Sequence, residues 1–316
     1  MKAAAWVAAR LGPVAAVALL FVAGAAQAQS AVTPLVLQRL AEGVYVHTGR
    51  QEETAVDNRG DIANLGVVIG ERCVAVVDSG GSRAVGEALR AAIRALTPRP
   101  VCYVINTHMH PDHVFGNAAF VADQPAFVGH AKLAAALAAR RSVYGAALQR
   151  LLGEAAAGSE LVVPTVAVAD TLVLDLGARR LELRAWPTAH TDNDLTVFDE
   201  ASGTLWLGDL VFDGHLPVVD GSLKGWLALH PVLAALPARH RVPGHGAIDP
   251  PWPERLERQQ AYLEGVARTV RKALAANQTL SQVLQDARAP DQNQWLLIDA
   301  FHLRNLSAAF AELEWE

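Results

Sequence analysis

Along the chain, short β-branched runs alternate with stretches of helical spacing. "LGVVIG" (65–70) and "CVAVVDSG" (73–80) are apolar runs joined by Glu71-Arg72, the pattern of a hairpin. "SRAVGEALRAAIRAL" (82–96) then spaces its apolar residues at helical intervals with Ser82 as N-cap, and "PVCYVINTH" (100–108) returns to β texture. Strand, helix and strand in this order predict a βαβ unit whose second strand ends where "NTHMHPDHVFGN" (106–117) begins. Open α/β sheets bind ligands at that carboxyl end. Residues 129–160 are alanine-rich and predict a surface helix with Arg140, Arg141 and Tyr144, either packed on the sheet or overhanging the strand end. After Pro164, "TLVLDL", "RRLELRAW", "LTVFDE" and "TLWLGDLVF" predict further strands, and "HRVPGHG" (240–246) one more. A long helix is expected from Pro253 to about Asn277 and a last one near Asn305 to Leu313. No fixed repeat, low-complexity linker or charge block divides residues 29–316, which predicts one domain of two similar β-plus-helix halves with a helical tail over about 253–316.

Residues 1–28 stand outside this pattern. Lys2 and Arg10 precede an apolar stretch, Leu11 to Gly24, and Ala26-Gln27-Ala28 ends it, which reads as a secretory signal peptide. An uncleaved anchor is the alternative, but the apolar run is shorter than the ~20 residues of a membrane-spanning helix. Loss of this leader removes two positive charges and takes the formal net charge from −5 to −7. An acidic chain argues against nucleic acid as a partner. No later run is long and apolar enough to span a bilayer, so an exported, soluble protein is expected. The two cysteines, Cys73 and Cys102, supply neither a cysteine zinc site nor a disulfide framework. Each lies in a β-like run, and both a single bridge and a pair of buried thiols fit.

The chemistry concentrates in residues 108–113, where His108, His110, Asp112 and His113 crowd together. On an extended segment His108 and His110 leave the same face, so two imidazoles can hold one metal ion. Asp112 and His113 follow where the chain turns into a helix with Pro111 near its first turn, and they point to a second position. The cluster alone cannot complete two sites. The missing ligands are expected from later strand ends: His190 in "PTAHTDND", Asp209 in "WLGDLVF" and His245 in "VPGHG". Burying so many polar groups without partners would cost several kcal/mol, which argues against a purely structural role.

These residues resemble the metallo-β-lactamase superfamily. "THMHPDH" matches its HxHxDH motif, "DSGG" with Asp78 its preceding acidic turn, and His190, Asp209 and His245 its later ligands in order. The resemblance implies an α/β fold, an αββα sandwich of two mixed β-sheets flanked by helices. It implies two zinc ions, the first held by His108, His110 and His190, the second by Asp112, His113 and His245, with Asp209 bridging. Asp78 is expected to orient a neighbouring imidazole rather than to bind metal. His47, His130, His215, His230, His240 and His302 match no motif, and His215 is expected to line the pocket. Family β-lactamases of the clinical type usually carry cysteine or serine where this chain has Asp209, so the match is closer to thioesterase-like and lactonase-like branches. A narrower resemblance rests on "GDIAN" (60–64), "INTHMHPDHVFGNAAF" (105–120) and "FHLRNLSAAFAELEWE" (301–316). These look like exported zinc metallohydrolases of bacterial quinoprotein relay systems, related to sulfur-oxidation thiol hydrolases, which implies a Gram-negative periplasm with quinoprotein dehydrogenases or cytochromes nearby.

The implied reaction is hydrolysis of a thioester, ester, lactone or amide in a small-molecule substrate, by a metal-bridging hydroxide that Asp112 orients. Two other readings stand beside it. One is an oxidoreductase of the persulfide-dioxygenase kind, with a single iron on two histidines and an aspartate; the other is a metal-binding accessory protein without turnover. Pocket walls are expected from loops near residues 50–62, 140–165 and 212–226.

Overall fold

The computed structural model describes Met1 and residues 32–288, 290–291 and 293–316; apart from Met1, the expected signal peptide lies outside them. Val32–Glu316 forms one compact unit. Its first half runs β1 (Gln38–Ala41), β2 (Val44–His47), β3 (Leu65–Ile69), β4 (Val74–Val77), α1 (Arg83–Leu96) and β5 (Val101–Ile105). It continues through α2 (Pro111–Val114), β6 (Ala126–His130), α3 (Leu133–Leu152) and β7 (Val166–Val168). The second half runs β8 (Thr171–Asp175), β9 (Arg180–Ala185), β10 (Leu195–Asp199), β11 (Thr204–Phe212), α4 (Leu223–Ala235) and β12 (His240–His245). Three helices close the chain: α5 (Glu254–Ala275), α6 (Leu280–Gln285) and α7 (Ile298–Leu313).

Strands β1 to β7 lie in chain order in one sheet, and the second has the order β12-β11-β10-β9-β8. Both are mixed: β1–β4 and β8–β11 pair antiparallel, whereas β4–β7 and β11–β12 pair parallel. Alternation along each strand builds the layers. On β4, Ala75 and Val77 face the second sheet and meet Leu183, Val197 and Trp206, whereas Val74 and Val76 face α1 and meet Leu89 and Ile93. The outer face of the second sheet packs Leu205, Leu207 and Val211 on Trp226 of α4 and Leu263 and Val266 of α5. Helix, sheet, sheet, helix is the resulting order, the expected αββα sandwich.

The predicted hairpin is β3–β4, closed by the bond from Gly70 N–H to Cys73 C=O (3.0 Å), and the predicted βαβ unit is β4-α1-β5. Ser82 caps α1 as expected, its hydroxyl accepting from Val85 N–H. Cys73 and Cys102 are joined in a disulfide, with Cα atoms 5.8 Å apart on neighbouring chain segments. Two expected helix boundaries need correction, and one helix was not expected. The helix expected over 129–160 starts at Leu133, because Ala126–His130 is taken by β6. The last helix starts at Ile298, well before Asn305. Helix α4 was not legible because Pro231 sits inside it and its apolar residues are spread around the axis. The proline in β12 is tolerated because that strand is the edge of its sheet.

Candidate metal centre

The segment after β5, Asp209 within β11 and His245 at the last position of β12 meet at one rim, so Asp209 sits inside its strand rather than at the expected strand end. Thr107 is anchored there by Asp78, whose Oδ1 accepts Thr107 N–H and whose Oδ2 accepts the Thr107 hydroxyl, both at 2.8 Å. Beyond Ile105 the chain bends rather than staying extended, so the shared face of His108 and His110 does not come from a strand. Their rings nevertheless stand edge to face with centroids 4.7 Å apart, and Met109 between them is buried against α3. Pro111 opens α2 as expected, carrying Asp112 and His113.

Seven expected residues converge in two groups. His108, His110, His190 and Asp209 form one, Asp112, His113 and His245 the other, with the ligand atoms of each group within 4.8 Å of one another. Asp209 touches both: Oδ2 is 3.6 Å from His108 Nε2 and 3.4 Å from the Nε2 atoms of His190 and His245, and Oδ1 is 3.2 Å from His113 Nε2. Asp112 Oδ2 lies 3.2 Å from His245 Nε2 and 3.5 Å from His113 Nε2. A Cβ on Gly244 would fall 1.9 Å from Asp209 Oδ1, so only glycine leaves room for that carboxylate.

Each imidazole is held from behind by an acceptor. His113 Nδ1 donates to Asp78 Oδ2 (2.8 Å), His190 Nδ1 to Val218 C=O (2.6 Å), His245 Nδ1 to Ile62 C=O (2.8 Å) and His110 Nε2 to Asp220 Oδ2 (3.0 Å). The Thr107 hydroxyl gives its proton to Asp78 and therefore accepts from His108 Nδ1 (3.0 Å). With one nitrogen of each neutral ring committed to donating, the inward nitrogens carry lone pairs. His110 Nδ1 then sits 3.0 Å from His108 Nε2 and 2.9 Å from His190 Nε2, three lone pairs converging with no proton between them. His113 Nε2 and Asp209 Oδ1 are buried and make no hydrogen bond. The three converging lone pairs repel one another until a cation enters, so the donor set fits metal ions.

The charges agree. Burial pushes His108 well below the ordinary imidazole value and His190 down to about 3, which keeps both rings neutral. Burial also opposes charge on His113 and His245, but Asp209 and Asp112, joined by Asp78 at His113, outweigh it, raising His113 well above its ordinary value and His245 to about 9. Those carboxylates call for positive charge, and a bound cation answers as well as a proton.

A cavity of about 360 Å³ opens beside Asp112 and Asp209. Tyr144, Leu148 and Leu151 of α3 line it, so this helix both packs on the first half and overhangs the site, and His215 lines it as expected. Residues 52–54, Tyr144 to Leu151 and Val218 come from all three expected stretches, the middle one being helix α3 rather than a loop. The wall of Leu297, Phe301 and Arg304 around the start of α7 was not foreseen. Asp220 and Asn64 were also missed. The Asn64 side chain donates to Pro243 C=O (2.9 Å) and Gly246 C=O (3.0 Å), bracketing His245. No local pattern announces the role of either residue, since each acts across a long sequence gap.

A family model described as the metallo-beta-lactamase superfamily matches residues 58–251, more than half of the chain. The chain belongs to the metallo-β-lactamase superfamily. It is a metal-dependent hydrolase of the metallo-β-lactamase-like kind, with histidine and aspartate groups that can bind metal. Among solved structures it is similar to a metallo-beta-lactamase from Pontibacter korlensis, with 20% identity and a TM-score of 0.59, covering 73% of this chain and 99% of that one. TMB-1 gives 20% identity and 0.57, covering 75% and 100%. The metallo-beta-lactamase FIM-1 from Pseudomonas aeruginosa, in its mono-zinc form, gives 17% and 0.58, covering 74% and 96%. At these identities the likeness is one of fold. No curated protein matches the chain.

Proposed function

We propose that this superfamily member is an exported dinuclear zinc hydrolase acting on a thioester, ester, lactone or amide. The observation that carries the reading is the double contact of Asp209, which touches histidines of both groups and so joins two three-residue donor sets. His108, His110 and His190 would hold one ion, Asp112, His113 and His245 the other, and Asp209 would serve both. An iron centre on two histidines and one aspartate would leave four of these seven residues without use.

Zinc bound there lowers the pKa of water toward about 7 and polarises a carbonyl oxygen. The protein supplies the rest. Asp112 is held as a carboxylate well below its ordinary value by His113 and His245, which outweigh its burial, and it borders the cavity where the substrate enters. It is placed to orient an attacking water toward the carbonyl. Asp78, Asp220 and the carbonyls of Val218 and Ile62 hold the imidazoles in one tautomer, so no reorientation is needed during turnover. The apolar stretch formed by Leu148, Leu151, Leu297 and Phe301 supports a substrate with an apolar body next to the scissile bond.

The leader-like residues 1–28 and the Cys73–Cys102 disulfide support export to a periplasm, with residues 29–316 as the mature domain. The motifs at 60–64, 105–120 and 301–316 support a place beside quinoprotein dehydrogenases. The deciding experiment is metal analysis of protein purified from the periplasm, with N-terminal sequencing, followed by a panel of thioester, lactone, ester and β-lactam substrates. Two zinc ions per chain and zinc-dependent hydrolysis are expected. One iron per chain would replace this reading by the dioxygenase-like one, and two zinc ions without turnover on any of the panel would favour the accessory role.

A further inference from the structure

Helix α7 lies beyond the stretch that matches the family model, yet it grips the loop behind the first donor group. Asn305, fully buried on α7, donates from Nδ2 to Pro217 C=O at 2.7 Å and to the Tyr262 hydroxyl at 3.0 Å. Its Oδ1 accepts Val219 N–H at 2.9 Å. One side-chain amide thus fixes the residues on both sides of Val218, and the Val218 carbonyl accepts the Nδ1 proton of His190 at 2.6 Å. Farther along α7, Glu312 accepts from the Ser222 hydroxyl at 2.6 Å and from Leu223 N–H at 2.7 Å. The segment 217–223 is therefore tied to α7 at both ends. Between the ties, Asp220 N–H donates to His190 C=O at 3.1 Å, and its carboxylate holds His110.

We infer that Asn305 is a positioning residue for the first metal site: its amide sets the Val218 carbonyl, which sets the tautomer and ring angle of His190. The position demands a donor and an acceptor on one short planar group. Asparagine meets that demand. Aspartate offers no donor for the Pro217 carbonyl, and alanine leaves both backbone groups buried and unpaired. Because a metal-ligating imidazole keeps its affinity only when its outer nitrogen is held, the consequence falls on one site of the two.

The inference rests on the reading of His190 as a zinc ligand, and the test separates the two. Full-length mature wild type, Asn305→Asp, Asn305→Ala and His190→Ala are titrated with zinc against a chromophoric chelator. Visible spectra of the cobalt-substituted forms and melting temperatures of the metal-free forms are recorded alongside. Asn305→Asp and Asn305→Ala are expected to weaken the site lost in His190→Ala by about 10–100-fold, to change the cobalt bands and to leave the other site within about threefold. Leu89→Ala, a buried change under the other sheet, serves as a control that lowers the melting temperature without moving either affinity. Tyr262→Phe removes the third bond of Asn305, together with the contact of the Tyr262 hydroxyl with His302 Nδ1 (3.1 Å), but leaves the pair on 217 and 219, and is expected to keep most of the affinity. If Asn305→Asp binds both ions as wild type does, or loses both equally, the proposal is overturned. If Asn305→Ala does not fold, Asn305→Asp, close to it in shape, decides alone. Failure of the underlying reading looks different: His190→Ala would then keep two ions at full affinity.

Discussion

Gly244 and Asp209 share one space: the Cβ that any other residue would place at 244 falls 1.9 Å from Asp209 Oδ1, and backbone of Gly208 lies 2.8 Å away on the same side. The carboxylate that touches both donor groups is thus seated by a missing side chain on the neighbouring strand. Gly244→Ala is expected to push Asp209 out of register, to cost about 1–3 kcal/mol by overpacking and to reduce zinc content below two per chain. Denaturant melts together with metal analysis check this. A variant with full stability and two tightly bound ions would refute it.

Asp220 holds His110 Nε2 at 3.0 Å from the solvent side of the site. Asp220→Ala is expected to lower zinc affinity by about 10–100-fold, with turnover at limiting zinc falling in proportion. Asp220→Asn retains an acceptor oxygen and should lose less. The order wild type, Asn, Ala in a chelator competition is the predicted result.

Away from the centre, His47 Nε2 meets Asp61 Oδ1 at 2.7 Å, and its Nδ1 bonds Val36 C=O at 3.0 Å. Burial opposes protonation of this ring, but the bond and charge of Asp61 and the Val36 carbonyl outweigh it and raise its pKa above 6.5. A raised imidazole pKa stabilises the fold fully below the unfolded value of about 6.5, and that contribution is lost as pH rises through the folded value. His47→Gln is therefore expected to cost about 1–2 kcal/mol near pH 5.5 and progressively less above neutrality. Urea melts of both proteins across pH 5–9 test the sign; a gap that widens with rising pH contradicts it.

The walls of the cavity make a separate prediction. Phe301 and Leu148 line it from α7 and α3 and carry no donor atom of their own. Phe301→Ala and Leu148→Ala should each raise KM about tenfold for substrates with an apolar body while changing kcat little, because they remove binding common to ground and transition states. Steady-state kinetics on a series of acyl thioesters of increasing chain length would show it as a flattened dependence on length.

Much of this could be read from residue order. The alternation of 65–70, 73–80 and 100–108 placed the hairpin and the βαβ unit because strand period and apolar run are local properties. His108, His110, Asp112 and His113 were legible because metal chemistry demands those residue types together, and His190, Asp209 and His245 because each is tied to a β-run, although Asp209 lies inside its strand rather than after it. Even here the bend after Ile105 replaced the extended segment expected for His108 and His110.

What the sequence alone determined is therefore the material: two halves of strands and helices, and seven side chains able to donate to a cation. Tertiary structure decided how they are used. It chose the inward nitrogen of each ring by supplying Thr107, Asp220, Asp78, Val218 and Ile62 behind them, left room for Asp209 at Gly244, and brought α7 back to Val218 through Asn305. These contacts join segments far apart in the chain, and hydrogen-bond geometry across such gaps leaves no period or spacing in the order of residues.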